Sequence, residues 1–229
     1  MEHPVMLLVW ILGEVGLGDF AHTYPHVVHS LFFAAVLIVL GFLATRKIRM
    51  VPGTLQSFFE LVVGAMREFH EGTMGKKGMV FFPMCCTLII FVFFCNANGL
   101  IPGSFSPTSN LNTTLGFALM IVLLTHVMGF KVHGLKYLKH FMGPTPVLAP
   151  LMFPVEIVSH AARVVSLSFR LFGNVLGEDL VIAVLVLIAG QFFVPLPMMF
   201  LGLFTGFLQA FIITLLAMIY ISEAMEDEH

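Results

Sequence analysis

The chain is dominated by long apolar runs, and these runs decide what it can fold into. Several reach about 18 residues or more, the length needed to cross a hydrocarbon core about 30 Å thick. The 229 residues are 59% hydrophobic and only 10% charged, whereas a soluble domain carries about 25% charged residues. The short alternating segments of a membrane β-barrel are absent from the sequence. We therefore expect an all-α polytopic membrane protein with a single membrane domain.

Apolar runs, basic clusters and helix breakers predict about five membrane helices and one amphipathic helix in the interface. The last two helices are predicted to form a long hairpin. Its first helix, at about 40 residues and ~60 Å, is twice as long as the hydrocarbon core is thick, so it must tilt strongly or bend. The predicted segments are an outer N-terminal segment (1–26), a first span (27–45), the interfacial helix (52–72), a second span (79–101), a third span (115–131), the long tilted helix (150–193), the last helix (198–222) and an acidic cytoplasmic tail (223–229).

The placement of positive charge predicts the topology. Of the eleven Lys and Arg residues, nine lie in the segments 46–77 and 131–139, which the predicted spans place on one side of the membrane. The positive-inside rule makes that side cytoplasmic, with the N-terminus outside and the C-terminus inside. The N-terminus is apolar but has no basic region, so we expect an interfacial segment rather than a cleaved signal peptide.

Cysteine and histidine patterns give only weak indications of a metal site. The cysteines share one apolar helix, where free Cys packs as a small hydrophobic residue; they are Cys85, Cys86 and Cys95. Two sets of histidines have helical spacing. The first is His22, His26 and His29, which could lie on one helix face. The second is His126, His133 and His140, and His160 lies separately from both sets. No Cys or carboxylate completes a ligand set for the first, and the second straddles a basic interface. We favour interfacial histidines over a metal site or metalloenzyme and expect no cofactor.

Arg170 is the residue that most needs an explanation. It lies near the middle of the apolar run 148–193, where a charge costs roughly 2.5–3.5 kcal/mol on insertion scales. At about 100° per residue, Glu178 falls about 80° away from it and Asp179 about 180° away. Neither carboxylate is well placed to pair with Arg170, so the sequence keeps this arginine available for a charge supplied elsewhere.

On the helical wheel, Arg170 lies on a face of polar side chains and glycines. Its members share one broad face; they are Glu156, Arg163, Ser166, Gly173, Asn174 and Gly177. Small residues on such a face allow a second polypeptide to approach closely. In the last helix Gly202, Gly206 and Ala210 predict tight packing of the hairpin. Gln209 has a buried amide that needs partners, and an antiparallel helix could place it near Arg170.

At these residues the sequence resembles a known family. The string Arg170-Leu-Phe-Gly-Asn174, preceded by Val165-Ser-Leu-Ser-Phe169 and followed by an acidic pair, Leu208-Gln-Ala-Phe211 and Tyr220, is similar to subunit a of F-type ATP synthases. The similarity also covers 96–102, 112–114 and Glu156, and it extends from the first span to the C-terminus. It implies a non-catalytic, ion-translocating stator subunit. A free-standing secondary transporter or channel is the alternative, but such folds often show internal repeats, and none is found.

The resemblance also implies roles for individual residues. The hairpin would lie against a rotating ring of c subunits, between two offset aqueous half-channels. Arg170 matches the essential arginine, Asn174 and Gln209 its polar neighbours, and Ser166 belongs to the same string. Asp179 stands where the family usually has a Glu near the outer half-channel. Glu156 matches an acidic position of the inner half-channel.

Two positions depart from the family pattern, and the remaining expectations concern partners and location. Glu178 stands where several relatives have Gly, and Gly202 stands where they have His, so a polar group has moved between the two helices. The implied partners are the c-subunit ring, peripheral-stalk b subunits, other ATP synthase subunits and the lipid bilayer, without nucleic acid. The implied location is the inner (plasma) membrane of a bacterium. The expected ion is the proton, with sodium left open.

Overall fold

A computed structural model describes residues 18–46, 53–101, 104–137, 149–190 and 193–226. Seven α-helices lie in these ranges: α1 Gly18–Thr23, α2 Pro25–Thr45, α3 Thr54–Met74, α4 Phe82–Asn98, α5 Leu111–His133, α6 Ala149–Ala189 and α7 Leu196–Met225. Short 3₁₀ turns join or flank them at Lys76–Phe81, Pro107–Ser109 and Gly134–Lys136. The N-terminal residues 1–17 and the last three residues, for which segments were predicted, lie outside the described residues.

Five of the helical segments are long and apolar enough to cross a membrane. They are Pro25–Thr45, Lys76–Asn98, Leu111–His133, Pro150–Ile188 and Leu196–Met225. Their outward surfaces are strongly apolar: Leu187 is 85% exposed and Phe200 is 75% exposed, which suits contact with lipid rather than water. The predicted fold class is therefore confirmed for the described residues, and the chain is a multi-pass α-helical membrane protein.

The single helix face predicted for His22, His26 and His29 does not form. The backbone departs from helical geometry at Tyr24, with φ −128° and ψ 58°, and α2 begins at Pro25. Proline has no N–H group and fits the first turn of a helix, so it starts a new helix here instead of continuing α1. His29 is buried in α2, with its Nδ1 2.8 Å from the carbonyl oxygen of Pro25.

The amphipathic helix α3 is attached to the rest of the fold through His70. This buried side chain has Nε2 2.9 Å from the carbonyl oxygen of Gly78 and Nδ1 3.1 Å from the sulfur of Met218 in α7. Next to it, the rings of Phe69 and Phe211 pack with centroids 4.9 Å apart. One edge of α3 is thus fixed to α7. Its predicted position in the membrane interface stays a prediction.

The core lies where α4, α5, α6 and α7 meet. Its buried members come from all four helices; they are Leu88, Val92, Ala118, Ile121, Leu167, Leu171, Val175, Ala210, Ile213 and Ala217. In α6 these positions recur at spacings of four residues, so one stripe of the long helix is buried. Arg170 lies outside that stripe. The core therefore fixes the rotation of α6 and turns the arginine away from the bundle.

The two last helices form the predicted hairpin. The helix α6 has 41 residues, which corresponds to about 60 Å at 1.5 Å per residue. It ends at Ala189. Gly190 follows with a φ of +81°, the left-handed conformation common after a helix C-terminus, and its N–H donates to the carbonyl oxygen of Val186. The helices α6 and α7 run antiparallel, since Arg163 contacts Glu223 near one end and Glu178 contacts Thr205 near the other.

Candidate functional site

Arg170 sits on an open face of α6. It is exposed, and its Nη2 donates to the hydroxyl oxygen of Ser166, one turn earlier, at 3.5 Å. Neither of the ion pairs found among the described residues includes Arg170. Beside it, no heavy atom lies within 4 Å of an ideal Cβ built on Gly173 or Gly177. The guanidinium therefore has no carboxylate partner in the described part of the chain, and the surface next to it is flat and unobstructed.

Two buried amides lie close to the level of this arginine in the hairpin. Nδ2 of Asn174 and Oε1 of Gln209 are buried and have no hydrogen-bond partner among the described residues. Thr205 contacts Glu178. Asn174 comes four residues before Glu178 in α6, and Gln209 comes four residues after Thr205 in α7. Because the two helices are antiparallel and have the same rise per residue, Gln209 lies level with Asn174. An unpaired buried polar atom is costly, so these amides are available to water or to a group from another chain.

Asp179 is held against the connection between α4 and α5. Its Oδ1 would lie only 2.7 Å from an ideal Cβ on Gly99, so the carboxylate rests directly on that glycine. Gly99 is thus required because a side chain would occupy the space that the carboxylate fills. Asp179 points away from the open face that carries Arg170.

Glu178 is directed toward α7. It accepts a hydrogen bond from the hydroxyl of Thr205, and its Oε2 would lie 3.1 Å from an ideal Cβ on Gly202. The consecutive carboxylates 178 and 179 therefore leave α6 in different directions. The predicted role of the small-residue track holds for Gly202, which admits Glu178 of the partner helix. It is wrong for Gly206, which instead packs against Asn96 of α4.

A buried polar network fastens the connection between α4 and α5. The Nδ2 of Asn96 donates to the carbonyl oxygen of Gly206 at 2.9 Å, and the hydroxyl of Thr108 donates to its Oδ1 at 2.7 Å. Ser106 lies 2.9 Å from Thr108 and donates to the carbonyl oxygen of Cys95. Satisfied networks of this kind are rigid, so the surroundings of Asp179 are fixed.

A second group of polar side chains lies toward the other end of α6. The Nε2 of His160 is 3.3 Å from Oε1 of Glu156, one turn earlier. The ring of His160 packs against that of His126 in α5 with centroids 4.6 Å apart. The Nδ1 of His126 is 3.0 Å from the hydroxyl of Tyr137, and the imidazole tautomer sets the donor. Four polar side chains thus form one continuous contact chain, here called the inner cluster.

The hairpin supplies further charges next to the inner cluster. Arg163 donates to Oε2 of Glu223 at 3.1 Å, and its guanidinium carbon lies 4.8 Å from the ring centroid of Tyr220. Burial is the main cause that raises the pKa of the Tyr137 phenol; Glu156 and Glu223 add to this effect and Arg163 opposes it. These three charges therefore act electrostatically on the inner cluster.

The structure sorts the predicted site residues into three places along α6. At 1.5 Å per residue, Glu156 lies about 21 Å from Arg170 along the helix, and Glu178 about 12 Å on the other side. Ser166 contacts the arginine, and Asn174 and Gln209 lie level with each other. The fold brings in several partners that were not predicted from the sequence; they are Gly99, His126, Tyr137, His160 and Thr205. Only His160 had a usable signal, its i,i+4 spacing from Glu156.

The described residues contain no group of three or more His, Cys, Asp or Glu side chains placed to hold a metal ion. The cysteines are free; Cys85 and Cys95 are buried among apolar side chains.

The fold and the site together define a multi-pass membrane protein in which an arginine without a carboxylate partner among the described residues lies between two separated carboxylate groups. Residues 27–222 match the family model described as ATP synthase A chain, and the chain belongs to this family. It is 48% identical to ATP synthase subunit a of Syntrophobacter fumaroxidans, 45% identical to that of Desulfosudis oleivorans and 47% identical to that of Trichlorobacter lovleyi. Each match covers 100% of this chain and 100% of the relative.

Proposed function

We propose that this protein is the ion-translocating stator subunit of an F-type ATP synthase. The observation that carries the proposal is Arg170: it lies within a helix long and apolar enough to cross a membrane, has no carboxylate partner among the described residues, and sits beside the open surface at Gly173 and Gly177. A charged side chain in a bilayer that has no counter-charge in its own chain needs one from another polypeptide. That partner would be a carboxylate carried past Arg170 by each subunit of a rotating c-ring.

The arginine would drive deprotonation of the ring carboxylate. At a separation of about 4 Å and an effective dielectric constant of about 20, the attraction between the two charges is about 4 kcal/mol. This corresponds to about a thousandfold shift toward the ionised carboxylate. Once it leaves Arg170, the carboxylate must take up a proton before it faces lipid. The guanidinium keeps its own proton, so it also blocks direct transfer of protons between the two sides.

The two carboxylate groups of α6 support separate routes for the ion. Asp179 and Glu178 would belong to the outer half-channel, and Glu156 to the inner half-channel. Asn174 and Gln209, with their free buried amide atoms, would bind the ring carboxylate or water near Arg170. The separation of the two groups along α6, about 35 Å between Glu156 and Asp179, means that neither route crosses the membrane alone. The rotating ring must therefore carry the ion from one half-channel to the other.

Charge placement supports the orientation and the remaining partners. The basic segments 46–77 and 131–139 would face the cytoplasm, which places the N-terminus outside, the C-terminus inside, and Glu156 nearer the inner side. The open face of α6 would bind the c-ring. The apolar outer helices would face lipid and the peripheral-stalk b subunits. The field supplies about 2.3 kcal/mol per charge per 100 mV to drive rotation. The proton is the proposed ion.

The proposal is tested with Arg170→Ala in the complete complex, reconstituted into vesicles. ATP synthesis driven by an imposed proton gradient should fall to the background level, because the ring carboxylate is no longer drawn into its ionised form. Lys77→Ala is the matched control, since it removes one exposed positive charge from a basic turn and should leave the rate unchanged. Synthesis at the native rate with Arg170→Ala would overturn the proposal.

A further inference from the structure

The inner cluster contains ionisable side chains that the proposed mechanism does not yet use. Its members come from two helices and the turn after α5, and they touch in the order Glu156, His160, His126 and Tyr137. Histidine is the side chain whose ordinary pKa, about 6.5, lies closest to neutral pH. Two imidazoles packed ring to ring therefore bring several proton-binding nitrogens together beside the carboxylate of Glu156.

The charges around the two imidazoles limit the pair to one bound proton. The ionisable groups that face them in the described ranges are Glu156 and Arg163 of α6, Tyr137 after α5, and Glu223 of α7 with Tyr220 beside it. With both imidazoles neutral, the two carboxylates and one guanidinium leave a net charge of −1. One proton on the imidazole pair brings it to zero. A second proton would place two positive rings in contact, which like charges oppose.

The exposed fraction of the side chains decreases along the inner cluster. The side chain of Glu156 is 28% exposed and that of His160 is 13% exposed, while Tyr137 is buried. The most exposed member is thus a carboxylate that can exchange protons with water, and the imidazole behind it is sheltered. From His160 to Arg170 is ten residues, about 15 Å along α6. The pair therefore stands between the arginine and the end of the helix that carries Glu156.

We propose that His160, positioned by His126 and Tyr137, is the proton carrier of the inner half-channel and delivers protons to Glu156. This inference rests on the proposed function. A proton released from the ring carboxylate binds a neutral imidazole and forms an N–H bond. The Nε2–H bond of His160 then breaks as Oε1 of Glu156 takes the proton, and the carboxyl releases it to water and regains its charge. His126 holds the second ring in place through its hydrogen bond with Tyr137.

The test is His160→Gln in the complete complex in vesicles, with the inner pH varied. Glutamine keeps a polar side chain of similar size but does not titrate. The rate of ATP synthesis should fall about tenfold or more near neutral pH, since a positioned proton carrier typically contributes a factor of 10²–10⁴. The dependence of the rate on inner pH should lose the inflection that titration of this imidazole produces. A purely structural role would lower the amount of assembled complex without removing the inflection.

Two variants keep the test decisive if His160→Gln does not assemble. Tyr137→Phe removes only the hydroxyl that contacts His126 and should shift the inflection. His126→Gln should lower the rate per assembled complex. The matched control is His133→Gln, a half-buried histidine one heptad after His126, which should keep the native profile. Native rate and profile in the His160, His126 and Tyr137 variants would overturn this inference, whereas activity of Arg170→Ala would overturn the proposed function itself.

Discussion

The contact between Gly99 and Asp179 gives a sharp prediction about the outer route. In Gly99→Ala the new methyl group would lie 2.7 Å from Oδ1 of Asp179 and 3.0 Å from Cβ of Ser106. Ordinary contact begins near 3.4 Å, so the carboxylate must withdraw by about 0.7 Å or more. That movement shifts Asp179 from its place against the connection between α4 and α5. A methyl group forced into a packed site costs about 1–3 kcal/mol.

The expected result is a slower uptake of protons on the outer side. A loss of 1–3 kcal/mol in the step of proton uptake corresponds to about a fivefold to 150-fold decrease in rate, measured as gradient-driven ATP synthesis per assembled complex. The matched control is Gly116→Ala in α5, where no heavy atom lies within 4 Å of the new Cβ and alanine favours the helix. The reasoning is refuted if Gly99→Ala and Gly116→Ala synthesise ATP equally fast.

Two further predictions concern single hydrogen bonds at the edges of α7. Thr205→Val keeps the shape of the side chain but removes the donor to Glu178, so synthesis should fall about tenfold with little change in thermal stability; a native rate in the vesicle assay would contradict this. His70→Leu leaves the buried carbonyl of Gly78 without its partner and should lower the free energy of unfolding by about 1–3 kcal/mol. Thermal unfolding in detergent measures it, as a decrease of about 2–4 °C per kcal/mol, and an unchanged midpoint would show that the contact is not stabilising.

Properties that depend on one helix could be predicted from the sequence. Apolar length identifies the membrane helices, and the helical wheel places Ser166 one turn from Arg170, where the structure has their contact at 3.5 Å. The same wheel shows that Glu178 and Asp179 are poorly placed for the arginine. These are local facts of rise and rotation, which the sequence determines directly. The break at Pro25 was also local, and the rule for proline in the first turn would have found it.

Contacts between helices could not be predicted, because they depend on how each helix is rotated and shifted against its neighbours. Gly99 meets Asp179, Thr205 meets Glu178, and each pair is far apart in the sequence. His126, His133 and His140 are spaced by seven residues, so spacing does not single out His126. The neighbouring residues in the sequence also do not show that its ring packs on that of His160. Such pairings require the packing of the whole bundle. For the same reason the partners of Gly206 were assigned to the wrong helix.

The central claim is that Arg170 both binds the ring carboxylate and separates the two half-channels. The most direct measurement is passive proton flux through the complete complex in vesicles without nucleotide, compared between the native protein and Arg170→Ala. We expect the native complex to be impermeable to protons. The Arg170→Ala complex should leak protons and also lose ATP synthesis, because the same substitution removes both the barrier between the half-channels and the partner of the ring carboxylate. An Arg170→Ala complex that stays impermeable to protons and still synthesises ATP would contradict it.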